Sequence, residues 1–129
     1  MLVDVTGYGL TGKQAEAAMF RCGVTLNANA LPFDKNGPWW TSGIRVGTPA
    51  VTTLGMTKDD MKEIASIINL VLQGTKPGLT KEGKPAKGKI EIDAAVEEEG
   101  KKRVNALLSK YVLYPELDLD FLKAEFVKD

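Results

Sequence analysis

The stretch TSGIRVGTPA, residues 41 to 50, sets apolar residues in alternation with glycine and arginine. In a strand, successive side chains leave opposite faces, so Ile44 and Val46 share one side while Gly43, Arg45 and Gly47 share the other. Such a strand is apolar on one face only, and that face has to be covered by a second layer. Glycine weakens a strand, and where it occurs it marks a bulge or the close approach of a ligand or another backbone. Two glycines around a single guanidinium therefore predict cleared space at Arg45, suited to an anion.

The flanking segments supply the second layer. Residues 2 to 6, LVDVT, read as a half-buried strand that breaks at Gly7-Tyr8-Gly9. Thr11 and Gln14 match a capping box, which predicts a helix over about 12 to 22 with Ala15, Ala18, Met19 and Cys22 on one face and Gly23 as its stop. Val24-Thr25-Leu26 reads as a short strand entering Asn27-Ala28-Asn29. Residues 30 to 41, ALPFDKNGPWWT, form a loop. The two tryptophans in it either cover the domain's own core or pack on a ligand or partner chain, because each presents a large apolar surface. After the strand at 42 to 46, Thr57 caps a second helix running to about Gln73, with Met61, Ile64, Ala65, Ile68, Val71 and Leu72 as its apolar stripe.

Residues 75 to 89 hold five lysines, three glycines and two prolines, the composition of a mobile surface loop, taken as 75–90. A third helix, about 93 to 111, follows Asp93, with Val96, Gly100, Val104, Leu107, Leu108 and Tyr111 along one side. Glu97–Lys101, Glu98–Lys102 and Glu99–Arg103 stand at i,i+4 on the other. Residues 115–129 read as a C-terminal arm docking Leu117, Leu119 and Leu122. The whole predicts one α+β domain over 1–129, a small and mostly antiparallel sheet covered on one face by helices.

Composition narrows the chemistry. Seventeen basic residues balance seventeen acidic ones, which argues against a bulk nucleic-acid partner or an anionic membrane. No apolar run approaches the roughly 20 residues needed to span a bilayer, and MLVDVTGYG is unlike a signal peptide, so a cytoplasmic location is expected. The chain contains no histidine and a single cysteine, Cys22, which excludes histidine triads and the usual zinc constellations within it.

The segment from Thr25 to Gly55, TLNANALPFDKNGPWWTSGIRVGTPAVTTLG, resembles the C-terminal domain of serine hydroxymethyltransferase. The N-x-N before a proline, the Pro-aromatic pair, and S-G-I-R-V-G-T-P-A followed by T-x-G occur in that family in this order. LVDVTGYGLTGKQAEAAMFRCGVTLN upstream and LYPELDLDFL downstream are similar to it as well, so the likeness spans essentially the whole chain. Leu54 departs from it, standing where many members have arginine.

The resemblance implies the small C-terminal domain of a fold-type I pyridoxal-phosphate enzyme that interconverts serine and glycine and carries the one-carbon unit on tetrahydrofolate. Arg45 would then bind the substrate carboxylate, as its planar donor fork suits. Asn29, Gly37, Pro38 and Trp39 would border the folate; the alternative for Asn29 is a turn in which it bonds its own backbone. The cofactor lysine of the family, in a T-x-x-x-H-K-type run, has no counterpart here. The expected partner is therefore a large cofactor-binding domain in a homodimeric enzyme, and the chain alone is expected to be inactive. It looks like a piece cut from an enzyme, or the product of a start codon placed inside one. The alternative is a free-standing carboxylate- or folate-binding module, or an interaction module, without catalytic activity.

Overall fold

A computed structural model describes residues 1–126. Three short strands form one antiparallel sheet: β1 (Leu2–Asp4), β2 (Asn27–Asn29) and β3 (Gly43–Arg45), in the order β1-β3-β2. β3 is the central strand, pairing Leu2 and Asn27 with Arg45, Val3 and Ala28 with Ile44, and Asp4 and Asn29 with Gly43. Ile44 is fully buried and Arg45 exposed, so the alternation of the sequence is realised in space.

The buried face is covered by α1 (Gly12–Arg21). Its capping box is present in both directions: the backbone N of Gln14 donates to Thr11 Oγ1 at 3.2 Å, and Thr11 N donates to Gln14 Oε1 at 2.9 Å. Ala15, Ala18 and Met19 lie wholly inside, with Val5 and Ile44. Two longer helices complete the core: α4 (Lys58–Gln73), capped by Thr57 with Asp60, and α5 (Ala94–Leu108), capped by Asp93. Gly100 lets α5 close on its neighbours, since a Cβ there would stand 3.2 Å from Val71 and 3.3 Å from Cys22 Sγ.

The stripes are turned slightly from the expected phase. On α4 the buried residues are Ile67, Val71 and Leu72, while Ala65 is exposed. Ile64 and Ile68 are half-buried because they line an apolar groove of about 430 Å³ together with Val46, Val51, Leu107 and Leu108. Of the three expected i,i+4 pairs on α5, Glu97–Lys101 forms at 2.6 Å. Arg103 instead reaches across to α4, donating from Nε and an Nη to the two oxygens of Glu63, each at 2.8 Å. A partner on a packed helix fixes both oxygens at once, which a neighbour one turn away does not.

Four expectations are corrected. The strand expected at 24–26 lies three residues on, at Asn27–Asn29, where edge pairing with β3 decides the register. The expected loop at 30–41 contains a one-turn helix, α2 (Gly37–Trp40), and another, α3 (Pro49–Thr53), follows β3. The lysine-rich stretch at 75–90 is no loop but a hairpin, β4 (Thr75–Leu79) with β5 (Pro85–Ile92). It pairs because Ile90 and Ile92 pack against the core while Thr11 and Gln14 take carbonyls along β5: Thr11 Oγ1 donates to Lys87 O at 2.7 Å, and Gln14 Nε2 to Ala86 O and Lys89 O at 2.6 and 2.8 Å. Lysine, glycine and proline are the residues of an isolated edge, and Pro77 sits where the register shifts.

The arm is the fourth correction. It holds a helix, α6 (Leu119–Phe126), but Leu117 and Leu119 remain exposed and only Leu122 is half-buried. Residues 127 to 129 of that expected arm lie outside the described residues. No described helix is long and apolar enough to cross a membrane.

Gly12 is the tightest point of the fold. A Cβ there would stand 2.0 Å from Thr41 Oγ1 and 2.2 Å from Gly43 O. Gly12→Ala is expected to destabilise by about 1–3 kcal/mol, toward the upper end because the obstacle is backbone. Gly7→Ala, with nothing within 4 Å, serves as the control and should be near neutral. Urea unfolding of the two variants checks this; equal midpoints would overturn the packing argument.

Candidate functional site

The open face of the sheet carries Leu2, Arg45 and Asn27 on one rung and Asp4, Gly43 and Asn29 on the other. Directly paired residues share a face, and so do residues two apart along a strand. Arg45 and Asn29 are therefore brought to the same side. Arg45 donates from Nε to Asn27 Oδ1 at 3.2 Å. Its two terminal nitrogens have no hydrogen-bond or ion-pair partner among the described residues. The side chain is thus steered at its root and open at its fork.

The cleared space expected on both sides of Arg45 exists on one side only. Gly47 is exposed, and a Cβ on it would make only an ordinary contact with Pro49, at 3.5 Å. Gly43 is covered instead by Leu31, whose Cδ2 would stand 2.6 Å from a Cβ at that position. Here the close approach that glycine permits is by the protein's own chain. Asn29 donates from Nδ2 to Ala30 O at 2.7 Å, the local backbone bond that was one of its two readings, and its Oδ1 has no described donor.

The loop that brings Leu31 over Gly43 is tied by one side chain. Asp34 Oδ2 accepts from Leu31 N at 3.0 Å and Ser42 N at 2.7 Å, and Oδ1 accepts from Asn36 N at 2.8 Å and Ser42 Oγ at 2.6 Å. The Ser42 hydroxyl first, then the backbone amides of Leu31, Asn36 and Ser42, outweigh the effect of burial and lower its pKa from 3.8 to about 2. This closure holds three left-handed residues: Phe33 at φ 58°, Gly37 at φ 72° and Thr41 at φ 55°. Two of these are not glycine, a conformation that costs about 1–3 kcal/mol each unless the surroundings impose it. Phe33 sits at the tip, fully exposed.

Gly37, Pro38 and Trp39 end this loop on α2. The two tryptophans part company. Trp40 is half-buried, its ring lying over Gly88 of the hairpin, where a Cβ would come within 2.7 Å. Trp39 is 74% exposed and lines a groove of about 540 Å³ with Trp40, Phe20, Leu26, Lys13 and Glu16. That groove lies along α1, which backs the opposite side of the sheet from Arg45. Glu16 bridges the two regions: Oε1 accepts from Ala28 N at 3.1 Å on the outer edge of β2, while Oε2 accepts from Lys13 at 2.9 Å. Burial acts to raise the Glu16 pKa, but those two donors prevail and lower it.

Sequence reasoning missed Asn27 and Asp34. The signal for Asn27 was the N-x-N pattern itself, which sends both asparagines to one face of a strand. For Asp34 it was an aspartate two residues before an asparagine in a Pro-Gly-rich loop, an Asx-type anchor. Among the described residues no cluster of three or more metal-ligating side chains occurs.

A three-stranded antiparallel sheet, backed by capped helices and presenting a steered, open arginine, defines a small α+β domain. Residues 1–68 match the serine hydroxymethyltransferase family, and the chain belongs to that family. It is 51% identical to serine hydroxymethyltransferase of Treponema pallidum over 128 residues, covering 99% of this chain and 22% of that relative. It is 48% identical to the Salinispora tropica enzyme over 92% of the chain and 25% of the relative, and 45% identical to that of Cutibacterium acnes over 92% and 24%. The chain thus spans about a quarter of the length of the curated relatives it matches.

Asp34 and Asp60 give this domain a defined acid limit. Asp60 accepts from the Tyr111 hydroxyl at 2.6 Å and from the Thr57 hydroxyl and amide, each at 2.7 Å, which also lowers its pKa to about 2. A carboxylate depressed on folding stabilises the native state above its unfolded pKa, near 3.8, and that stabilisation is lost as pH falls through about 2. The thermal midpoint is therefore expected to drop between pH 4 and 2, and Asp34→Asn should make the drop shallower, starting from a lower midpoint at pH 7. Parallel midpoint-versus-pH curves for the two proteins would refute this assignment.

Proposed function

We propose that this chain forms the small domain of a pyridoxal-phosphate-dependent serine hydroxymethyltransferase, converting serine and tetrahydrofolate to glycine and methylene-tetrahydrofolate. In this reading Arg45 takes the carboxylate of the amino-acid substrate, and Asn29, Gly37, Pro38 and Trp39 border the folate. The observation that carries it is the state of Arg45: Nε held by Asn27 and both terminal nitrogens open to solvent. A carboxylate meeting that fork gains two parallel charge-assisted hydrogen bonds, and the Asn27 contact reduces the freedom lost on binding. Asn29 on the same face offers an unused carbonyl oxygen to a ligand donor.

Pyridoxal phosphate, when bound, supplies the electron sink for chemistry at the amino acid's α-carbon. The residues of this chain do not by themselves fit that group, because every described lysine is exposed to solvent and five of them crowd onto the hairpin. The cofactor and its lysine belong, on this reading, to a large domain outside this chain, joined with this one in a homodimer. Exposed Leu2, Phe33 and Trp39 are suited to that contact.

In a complete enzyme carrying this chain, Arg45→Lys is expected to raise KM for serine about tenfold to a hundredfold, and Arg45→Ala more, since charge-assisted bonds contribute roughly 1.5–3 kcal/mol each. KM for tetrahydrofolate should stay nearly constant. A variant silent toward serine but impaired toward folate would move Arg45 to the other ligand. For the isolated chain, mixing with pyridoxal phosphate followed by borohydride reduction should leave no stoichiometric adduct on one lysine, as read by intact mass.

A further inference from the structure

We propose that Asp34 is the positioning residue of the folate-side loop, acting through the loop backbone and touching no ligand itself. The inference rests on the reading above in which Asn29 and residues 37–39 border the folate. Asn29 stands just before the loop and residues 37–39 lie within it, and Asp34 fastens its beginning to its end: Leu31 N at the start, Asn36 N in the middle, Ser42 N and Oγ at the close. Ser42 is three residues before Arg45 on the same strand segment, so the loop is referenced to the strand that carries the carboxylate-binding side chain. Asn36 adds a second tie, donating from Nδ2 to Ser42 Oγ at 3.1 Å.

The left-handed Phe33 and Thr41 explain why such a clamp is required. Free of it, both residues would relax toward the ordinary β or αR regions, swinging α2 away from the sheet. Leu31 would also leave its seat over Gly43. The clamp fixes the shape of the folate border while leaving the core helices untouched: none of the four donors lies on α1, α4 or α5. Arg45 is held separately, by Asn27. The two ligand sites therefore respond differently to loss of Asp34.

The test is a set of variants in a complete enzyme carrying this chain, assayed by initial rates with tetrahydrofolate varied at saturating serine and the reverse. Asp34→Asn keeps the shape but replaces one accepting oxygen with a donor, and should raise KM for tetrahydrofolate about tenfold with KM for serine changed less than about twofold. Ser42→Ala removes one of the four bonds and should give a folate effect of about threefold; it carries the decision if Asp34→Asn does not fold. Asn29→Ala serves as the reference for the loop's role. If Asn29→Ala raises the folate KM and neither Asp34→Asn nor Ser42→Ala does, the positioning role is overturned while the folate reading stands. If both KM values rise together in parallel with a lowered melting temperature, Asp34 is merely structural and the proposal fails. If Asn29→Ala and Trp39→Ala are silent toward folate, the folate reading falls and the proposal with it.

Discussion

The first turn of α1 is the constraint on which the rest of this domain depends. There the helix start meets β3 on one side and β5 on the other, so its backbone and side chains must satisfy both. Gly12 N donates to Thr41 O at 3.0 Å and has no room for a side chain. Gln14, almost completely buried, closes the capping box on Thr11 with its oxygen and spends both protons of its amide on β5 carbonyls. A buried amide is stabilising only when all of its groups are met, and here every one is. One polar residue thus starts the helix, orders the hairpin and leaves none of its own side-chain atoms unsatisfied.

From that junction the sheet acquires two unlike faces. Toward α1 it is plain core, Ile44 against Met19 and Ala15. Away from α1 it presents exposed Arg45 beside half-buried Asn27 and Asn29. This asymmetry is the physical basis of the site. An exposed guanidinium keeps its terminal nitrogens open to solvent; the same group under a helix would demand a protein partner. Two carboxylates, Asp34 and Asp60, serve structure, each gathering several hydrogen bonds at the end of a loop or helix.

The apolar surface left uncovered follows the same division. The core helices bury their stripes within the chain, whereas residues 112 to 126 expose Val112, Leu113, Leu117, Leu119, Phe121 and Phe126. The sequence reading has this arm docking Leu117, Leu119 and Leu122. Apolar residues in an arm show that it has an apolar face, and they carry no information about which surface receives it. The relatives are about four times as long as this chain, so a receiving surface need not be sought within it.

What the sequence determined by itself were features whose cause lies within four residues. The caps at Thr11, Thr57 and Asp93 are short-range hydrogen bonds between a side chain and the next turn, and each helix begins where its cap stands. The one-sidedness of β3, and hence the exposure of Arg45, followed from period-two alternation alone. The family was legible too, in S-G-I-R-V-G-T-P-A and the segments around it. Tertiary structure decided everything whose partner is distant. It put β2 at Asn27–Asn29, because β3 supplies the missing half of its ladder, and set Asn27 beside Arg45. It made a hairpin of a lysine-rich stretch, because Thr11 and Gln14 at the start of α1 donate to its carbonyls from more than 70 residues away. It filled the space at Gly43 with Leu31 and gave Asp34 its two donors on Ser42, eight residues away. A side chain's own chemistry fixes what bonds it can form, but only the folded chain brings the second partner within 3 Å.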